Sequence, residues 1–248
     1  MFMPHPMIAL WAVPRSVSTA FERMMMERGD FTVFHEPFSM TYYYSRERVS
    51  HRFSHEPGDP KNDFDSVMGS LIQAADRSPV FFKDMAYHLG PRLDRSVLER
   101  FINVFLIRDP AQALPSLHHV WPDFTWEEAG YQALHRAFQL AREITAKTPF
   151  VMDSTDLLEH PQAVVKAFCE NVGIPFLPEA LEWDAGHRPE WGVWGSQGWH
   201  DDAASRRGFE KKPKKYLSVD ENEHLASAYA KARPLYEELY AHRFQVES

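Results

Sequence analysis

Two short segments of this chain have the make-up of an anion site. Pro14-Arg15-Ser16-Val17-Ser18-Thr19-Ala20 directly follows an apolar run from Met7 to Val13. A loop between a strand and a helix brings unpaired backbone N–H groups and the positive end of the helix to one point. Ser16, Ser18 and Thr19 add hydroxyl donors, and Arg15 adds a permanent charge with forked donors. The competing reading is an ordinary helix start capped by Ser18 or Thr19. The second segment is Ile107-Arg108-Asp109-Pro110, with Ser116 eight residues after Arg108. A guanidinium grips a phosphate through two parallel hydrogen bonds; a structural ion pair between Arg108 and Asp109 is the alternative. A third segment sets six basic residues (Arg206, Arg207, Lys211, Lys212, Lys214, Lys215) against Glu210 alone. Such a run either meets a small anion or is a solvated loop.

These segments need elements to position them. Met7 to Val13 is continuously apolar, as expected of a strand buried on both faces. Phe31 to Phe34, Val80 to Lys83, Ile102 to Ile107 and Phe150 to Met152 read as four further strands. Between them lie helical patterns: Thr19 to Arg28, broken by Gly29; Phe64 to Ala75; a short helix ending over Val97 to Arg100; Leu134, Phe138 and Ala141; and Val164, Val165, Phe168 and Val172, closed by Gly173. Residues 39–60, with Tyr42, Tyr43 and Tyr44, read as irregular, and about 183–215 as a long loop. A final helix runs over about 220–243 and is expected to bend near Pro234. Short apolar strands alternating with helices predict an α/β fold, a parallel β-sheet flanked by helices in three layers. Ligands on such sheets sit at the carboxyl ends of the strands, where both candidate phosphate segments fall.

Composition narrows the classes. The 248 residues suit a single domain, 1–248, and 44% hydrophobic with 25% charged residues is an ordinary globular balance. The lone Cys169 excludes an internal disulfide framework and fits a reducing, cytoplasmic setting. No leader peptide or membrane span is expected. A net charge of −8 argues against a nucleic-acid partner. The first loop lacks both glycines and the lysine of a Walker A motif, and it has no cysteine for a cysteine-phosphatase loop.

Taken together, the two segments resemble those of sulfotransferases that use 3′-phosphoadenosine 5′-phosphosulfate (PAPS). That family's 5′-phosphosulfate loop reads Pro-[Lys/Arg]-Ser-Gly-[Ser/Thr]-[Ser/Thr], and five of the six positions match here. Its 3′-phosphate segment has an Arg at a strand end and a Ser eight residues on, as Arg108 and Ser116 stand. Asp153-Ser154-Thr155-Asp156-Leu157-Leu158, His160-Pro161 and Gly173-Ile174-Pro175-Phe176 are also similar to family stretches, so the resemblance covers about residues 7–36 and 79–176.

The resemblance implies a P-loop NTPase-like sulfotransferase fold. It implies PAPS as cosubstrate, adenosine 3′,5′-bisphosphate as product and no required metal. Arg15, Ser16, Val17, Ser18 and Thr19 would bind the phosphosulfate, and Arg108 and Ser116 the 3′-phosphate. Arg206, Arg207 and Gly208 would cover the 3′-phosphate, as a late Arg-Lys-Gly segment does in the family. Arg15 would stabilise charge on the leaving phosphate, and Lys83 would help balance the sulfuryl charge. The base for the acceptor is expected to be Glu36, with His35 or His88 as alternatives; Met85 stands where small-molecule members carry a catalytic His. Val17 replaces the family's Gly, and a β-branched residue disfavours φ > 0. A different local backbone, or weaker phosphate binding, is therefore expected. The acceptor is expected to be a small molecule offering a hydroxyl or amine, with Trp191, Trp194 and Trp199 either forming a lid for it or packing on the core. The chain carries no signature of an oligomeric state. Two rival classes stand beside this one: a P-loop nucleotide kinase or hydrolase, and a nucleotide-binding module of the same fold without turnover.

Overall fold

Each apolar run becomes a strand of one parallel sheet. The structure, a computed structural model, describes residues 5–195, 199–211 and 215–246. Its strands are β1 (Met7–Ala12), β2 (Thr32–His35), β3 (Val80–Asp84), β4 (Ile102–Ile107) and β5 (Phe150–Asp153). They lie side by side in the order β2-β3-β1-β4-β5. The register sets Trp11 beside Asp84 on one side and beside Phe105 on the other. Central strands are apolar throughout because alternate residues enter two separate cores. Ala9, Trp11 and Val13 pack with Phe82, Phe105 and Phe138 on one face, and Ile8, Leu10 and Ala12 with Phe21, Phe81 and Phe168 on the other.

The helices are α1 (Ser18–Arg28), α2 (Pro37–Tyr44), α3 (Phe64–Ala75), α4 (Arg95–Leu98), α5 (Pro110–Val120), α6 (Tyr131–Thr145), α7 (Ser154–Glu159), α8 (Pro161–Val172), α9 (Gly192–Gly195), α10 (Asp201–Ala204) and α11 (Glu223–Ala241). Buried residues of α3, α5, α6 and α11 join the first core, and those of α1 and α8 the second. Proline opens α5 and α8, where a missing N–H costs nothing. The αL residue Gly29 (φ 71) closes α1.

Two sequence expectations change. Residues 39–60 are not irregular from their start, because Pro37 opens α2 and carries Tyr42 and Tyr43 into the second core. The stretch 183–215 is not one open loop; it contains α9, α10 and a 3₁₀ turn at Pro189–Trp191, too short to show a period. The last helix begins at Glu223, capped by Asn222, and runs through Pro234.

The chain leaves β1 for β2 and β3 on one side, then crosses to β4 and β5 on the other. That reversal opens a crevice at the carboxyl end of β1, the usual place for a ligand on such a sheet.

Candidate functional site

A cavity of about 660 Å³ occupies this crevice. Its wall includes Arg15, Val17, Ser18 and Thr19 after β1, Glu36 after β2, Lys83, Met85 and His88 from β3 onward, and Arg108 and Ser116 after β4.

The loop after β1 has the shape of an anion cradle. Val17 is the residue before α1 and adopts φ 63, ψ 17, with no side chain capping the helix. The capping alternative therefore fails, as does the expectation that Val17 would force another backbone. The β-branched residue takes the left-handed conformation that a glycine would take. Arg15 (φ 65) and Glu36 (φ 40) are left-handed too, so three of the four such non-glycine residues among those described line this one cavity. Each costs roughly 1–3 kcal/mol and persists only because its surroundings hold it there. Ala20 and Phe21 are the residues whose N–H groups donate to Val17 O. The N–H groups of Ser18 and Thr19 precede them, in the first turn that has no intrahelical acceptor. Ser16 is fully buried, its hydroxyl has no hydrogen-bond partner among the described residues, and it is not part of the cavity wall.

The two arginine segments meet. Arg15 Nε donates to Ser116 Oγ at 3.1 Å, and Arg15 Nη1 donates to Trp199 O at 3.0 Å. Arg108 Nη1 donates to Arg15 O, clamping the strained loop residue, and Arg108 Nη2 reaches Gln112 Oε1 at 3.4 Å. Tyr131 donates its hydroxyl to Arg108 O at 2.8 Å. Among the described residues neither Arg15 nor Arg108 has a carboxylate partner, so the ion pair Arg108–Asp109 does not form; Asp109 instead caps α5 through Ala111 N. Burial lowers the Arg108 pKa, and the nearby charges of Arg15 and Arg206 lower it further. Half-buried like charges without counter-ions are unfavourable unless an anion joins them.

On the other wall Lys83 Nζ donates to Glu36 Oε1, with both side chains buried. Burial alone would raise the Glu36 carboxyl, but the Lys83 ammonium, with His35, His88 and His200, overrides it and holds it well below the usual carboxylate range. Close by, His88 Nδ1 lies 2.5 Å from Asp84 Oδ1, both side chains being buried. Asp84 also accepts from Met85 N (2.8 Å) and Phe38 N (2.8 Å), which fixes its orientation. Burial is the chief cause that raises the Asp84 pKa, and His88 opposes it. With Nδ1 turned to Asp84, Nε2 is the remaining acceptor of a ring that lines the cavity.

A residue that the sequence did not single out joins this wall. His200 lies 3.4 Å from Thr19 Oγ1 through Nδ1 and 3.0 Å from His35 Nε2 through Nε2. His35 Nδ1 lies 2.8 Å from Glu22 Oε2. His35, Glu36 and His200 bring three potential ligand atoms within 4.8 Å, so histidines without any ligand-like spacing in the sequence converge in space. The Lys83 ammonium already neutralises Glu36, and the imidazoles bond each other, which makes the group a hydrogen-bonded chain. Nothing near position 200 signals this, because His200 sits 165 residues from His35 in a stretch without periodicity.

The late basic segment divides. Arg206 is buried and lines the cavity, held by Asp202 at 2.8 Å and by Glu210 O. Arg207 is not in the cavity wall; its exposed side chain turns to Asp184 at 3.3 Å. Gly208 is also outside the wall, forming an antiparallel bridge with Glu182, 3.1 Å from Leu181 O at the place a Cβ would take. Lys211 lines the cavity and pairs with Glu159 at 2.7 Å. Lys212, Lys214 and Gly198 lie outside the described residues. Trp194 and Trp199 line the cavity with Tyr43, Tyr87, Met85 and Trp121, while Trp191 is buried against the His200 ring.

A family model described as a sulfotransferase domain matches residues 6–242, and the chain belongs to that family. "Branched-chain-amino-acid aminotransferase-like protein 2" of Arabidopsis thaliana is 26% identical over 211 residues, covering 84% of this chain and 37% of that protein. "Branched-chain-amino-acid aminotransferase-like protein 1" of the same plant is 27% identical over 239 residues, covering 94% and 41%. The chain thus spans about two fifths of the length of the curated relatives it matches. Two solved structures share its fold. The sulfotransferase domain from the curacin biosynthetic pathway is 15% identical with a TM-score of 0.51, covering 94% of this chain and 99% of that one. The sulfotransferase domain from the Synechococcus PCC 7002 olefin synthase is 17% identical with a TM-score of 0.51, covering 93% and 97%. Among the described residues no helix is long and apolar enough to cross a membrane.

Proposed function

We propose that this chain transfers the sulfuryl group of PAPS to a hydroxyl or amine of a small, largely apolar acceptor, releasing adenosine 3′,5′-bisphosphate. The observation that carries the reading is the Arg15–Ser116 hydrogen bond at 3.1 Å. It joins two segments about 100 residues apart into one surface bearing two guanidiniums that have no carboxylate partner among the described residues. Such a surface suits a ligand with two separate phosphate groups.

Arg15 and the first turn of α1, with Ser18 and Thr19, hold the 5′-phosphosulfate; Val17 lends its left-handed backbone to that turn. Arg108 and Ser116, covered by Arg206, hold the 3′-phosphate. Ser16 supports the loop from behind, and Arg207 and Gly208 hold the edge of the late segment. The acceptor lies against Tyr43, Met85, Tyr87, Trp121 and Trp194, a wall that is mostly apolar. Its oxygen or nitrogen attacks sulfur in line while the bond from sulfur to the bridging phosphate oxygen breaks, and the electron pair leaves with the phosphate.

The acceptor proton passes to His88 Nε2, whose cation Asp84 stabilises. Glu36 is the weaker candidate base, because its carboxylate is tied to Lys83 and titrates well below the usual range. It serves to aim Lys83 at the transferring group. Arg15 and Lys83 supply the charge that the step needs, so positioning and electrostatics dominate and no metal is invoked. The buried lone Cys169 fits a reducing, cytoplasmic setting.

The test is calorimetric titration with adenosine 3′,5′-bisphosphate, without magnesium, against ATP and 5′-AMP. Selective binding of the bisphosphate, followed by PAPS turnover with a panel of phenols, alcohols and amines, is the expected result. Equal affinity for all three nucleotides would refute the reading, and magnesium-dependent ATP turnover would replace it with the kinase or hydrolase class.

A further inference from the structure

His35, Glu36 and His200 meet at the cavity wall in a way that a hydrogen-bonded chain does not need. His35 Nε2 has a single bonding direction, yet two partners lie around it: His200 Nε2 at 3.0 Å and Glu36 Oε1 at 3.8 Å. One ligand atom from each of the three residues lies within 4.8 Å of the other two. The imidazole planes cross at 86° with ring centroids 4.6 Å apart, so the rings converge from different directions. A tetrahedral zinc ion with bonds of about 2.0–2.2 Å holds its ligand atoms about 3.3–3.5 Å apart. The edge between the imidazoles falls just short of that span, and the edge from His35 to Glu36 just beyond it. Two imidazoles and one carboxylate form a zinc donor set that leaves a fourth position open. Glu36 and His200 line the cavity, so that position faces it and takes water or a ligand oxygen.

The groups behind the donors fit an ion as well. His35 Nδ1 lies 2.8 Å from Glu22 Oε2, and both side chains are buried. A carboxylate behind a ligating imidazole fixes the ring and strengthens it as a ligand. Thr19 Oγ1 stands 3.4 Å behind His200 Nδ1. Lys83 competes for Glu36, but a carboxylate has two oxygens and can serve an ammonium and an ion together. The next cation, Arg15, is turned to Ser116 and to Trp199 O. Without an ion these groups form a hydrogen-bonded chain. Whichever imidazole owns the proton between the two Nε2 atoms, an ion takes that proton's place. The geometry points to a zinc site made by His35, Glu36 and His200, with Glu22 supporting it from behind. A zinc ion there fastens the late segment, which carries Trp199, His200 and Arg206, to the end of β2. Its role is that of a clasp, and it stands whether or not the nucleotide reading above holds.

The experiment is calorimetric titration of the untagged, chelator-treated chain with Zn²⁺ at neutral pH, repeated with Co²⁺ and followed by visible absorption, which reports tetrahedral coordination. One ion per chain is expected, with an intense tetrahedral Co²⁺ band. At a free Zn²⁺ concentration of about 100 Kd, Tm should rise by about 5–10 °C. His200→Ala should abolish the one-to-one binding and the Co²⁺ band. Glu22→Gln, which touches no ion, should weaken Zn²⁺ binding by about 10- to 100-fold. His135→Ala removes a half-exposed histidine paired with Glu238 and should change neither measurement. If Glu22→Gln does not fold, His200→Ala and the wild-type Co²⁺ spectrum decide the matter. Absence of binding, an octahedral Co²⁺ spectrum, or one-to-one binding unchanged in His200→Ala overturns the inference. Weak uptake of several ions that no variant alters is adventitious binding and overturns it too. Bisphosphate titration of the same zinc-free protein tests the nucleotide site separately, so either reading can fall alone.

Discussion

Replacing Arg108 with alanine should abolish the preference for a 3′-phosphorylated nucleotide. In the free protein the guanidinium is half-buried, lacks a carboxylate partner among the described residues, and is occupied only by Arg15 O and Gln112 Oε1. A bound 3′-phosphate adds two charge-assisted hydrogen bonds, each worth about 1.5–3 kcal/mol. Against them stands the weakening of the two existing bonds, about 1 kcal/mol each. The net loss on removing Arg108 is then about 1–4 kcal/mol, or about 5- to 1000-fold in Kd. Fold stability should change by no more than about 1 kcal/mol, because the lost bonds are offset by relief of repulsion from Arg15 and Arg206. Calorimetric titration of both proteins with adenosine 3′,5′-bisphosphate and with 5′-AMP checks this, with a urea melt as the stability control. The bisphosphate should lose most of its advantage while 5′-AMP, which lacks the 3′-phosphate, binds nearly as before. An equal loss for both nucleotides, or wild-type affinity for the bisphosphate with the fold intact, refutes the assignment of Arg108 to the 3′-phosphate.

Further perturbations bear on the same cavity. Lys83→Met leaves the buried Glu36 carboxylate unpaired and should lower stability at neutral pH by about 3–5 kcal/mol, most of it recovered in Lys83→Met with Glu36→Gln; denaturant melts of the set measure both. The Glu36 pKa is depressed on folding, so this pair's contribution is present above the unfolded pKa of about 4.3 and fades as pH falls below it. Melts from pH 7 to pH 2 should show that slope in the wild type and not in Glu36→Gln. Val17→Ala and Val17→Gly remove the same packing, but at φ 63 the glycine variant should be the more stable by about 1 kcal/mol, the reverse of the order in a helix interior. His88→Gln should lower kcat by about 10²–10⁴ with bisphosphate affinity unchanged; an unaltered kcat would move the base elsewhere.

The sequence by itself determined the sheet and the place of the site. Apolar runs as short as Met7 to Val13 and Ile102 to Ile107, alternating with helical patterns, read as strands buried on both faces, and parallel strands put their following loops at one edge. Arg15 and Arg108 were legible for that reason, since each directly follows a strand, and Ser116 lies about two turns into the helix that comes after Arg108. The short helix α2 escaped because eight residues around three tyrosines carry almost no period. Only tertiary structure decided the electrostatics. Lys83 reaches Glu36 across 47 residues, and that contact, invisible in either segment, turns a candidate base into an ion-pair partner. Asp84 and His88 stand four apart, a spacing open to view, yet only burial of both makes them a coupled pair. His200 reaches Thr19 from a stretch with no pattern, and Arg206 and Arg207, adjacent in sequence, separate into cavity wall and solvent. Periodicity encodes which face of an element is buried; it carries no record of which charged side chains meet once distant loops close over the same strand ends.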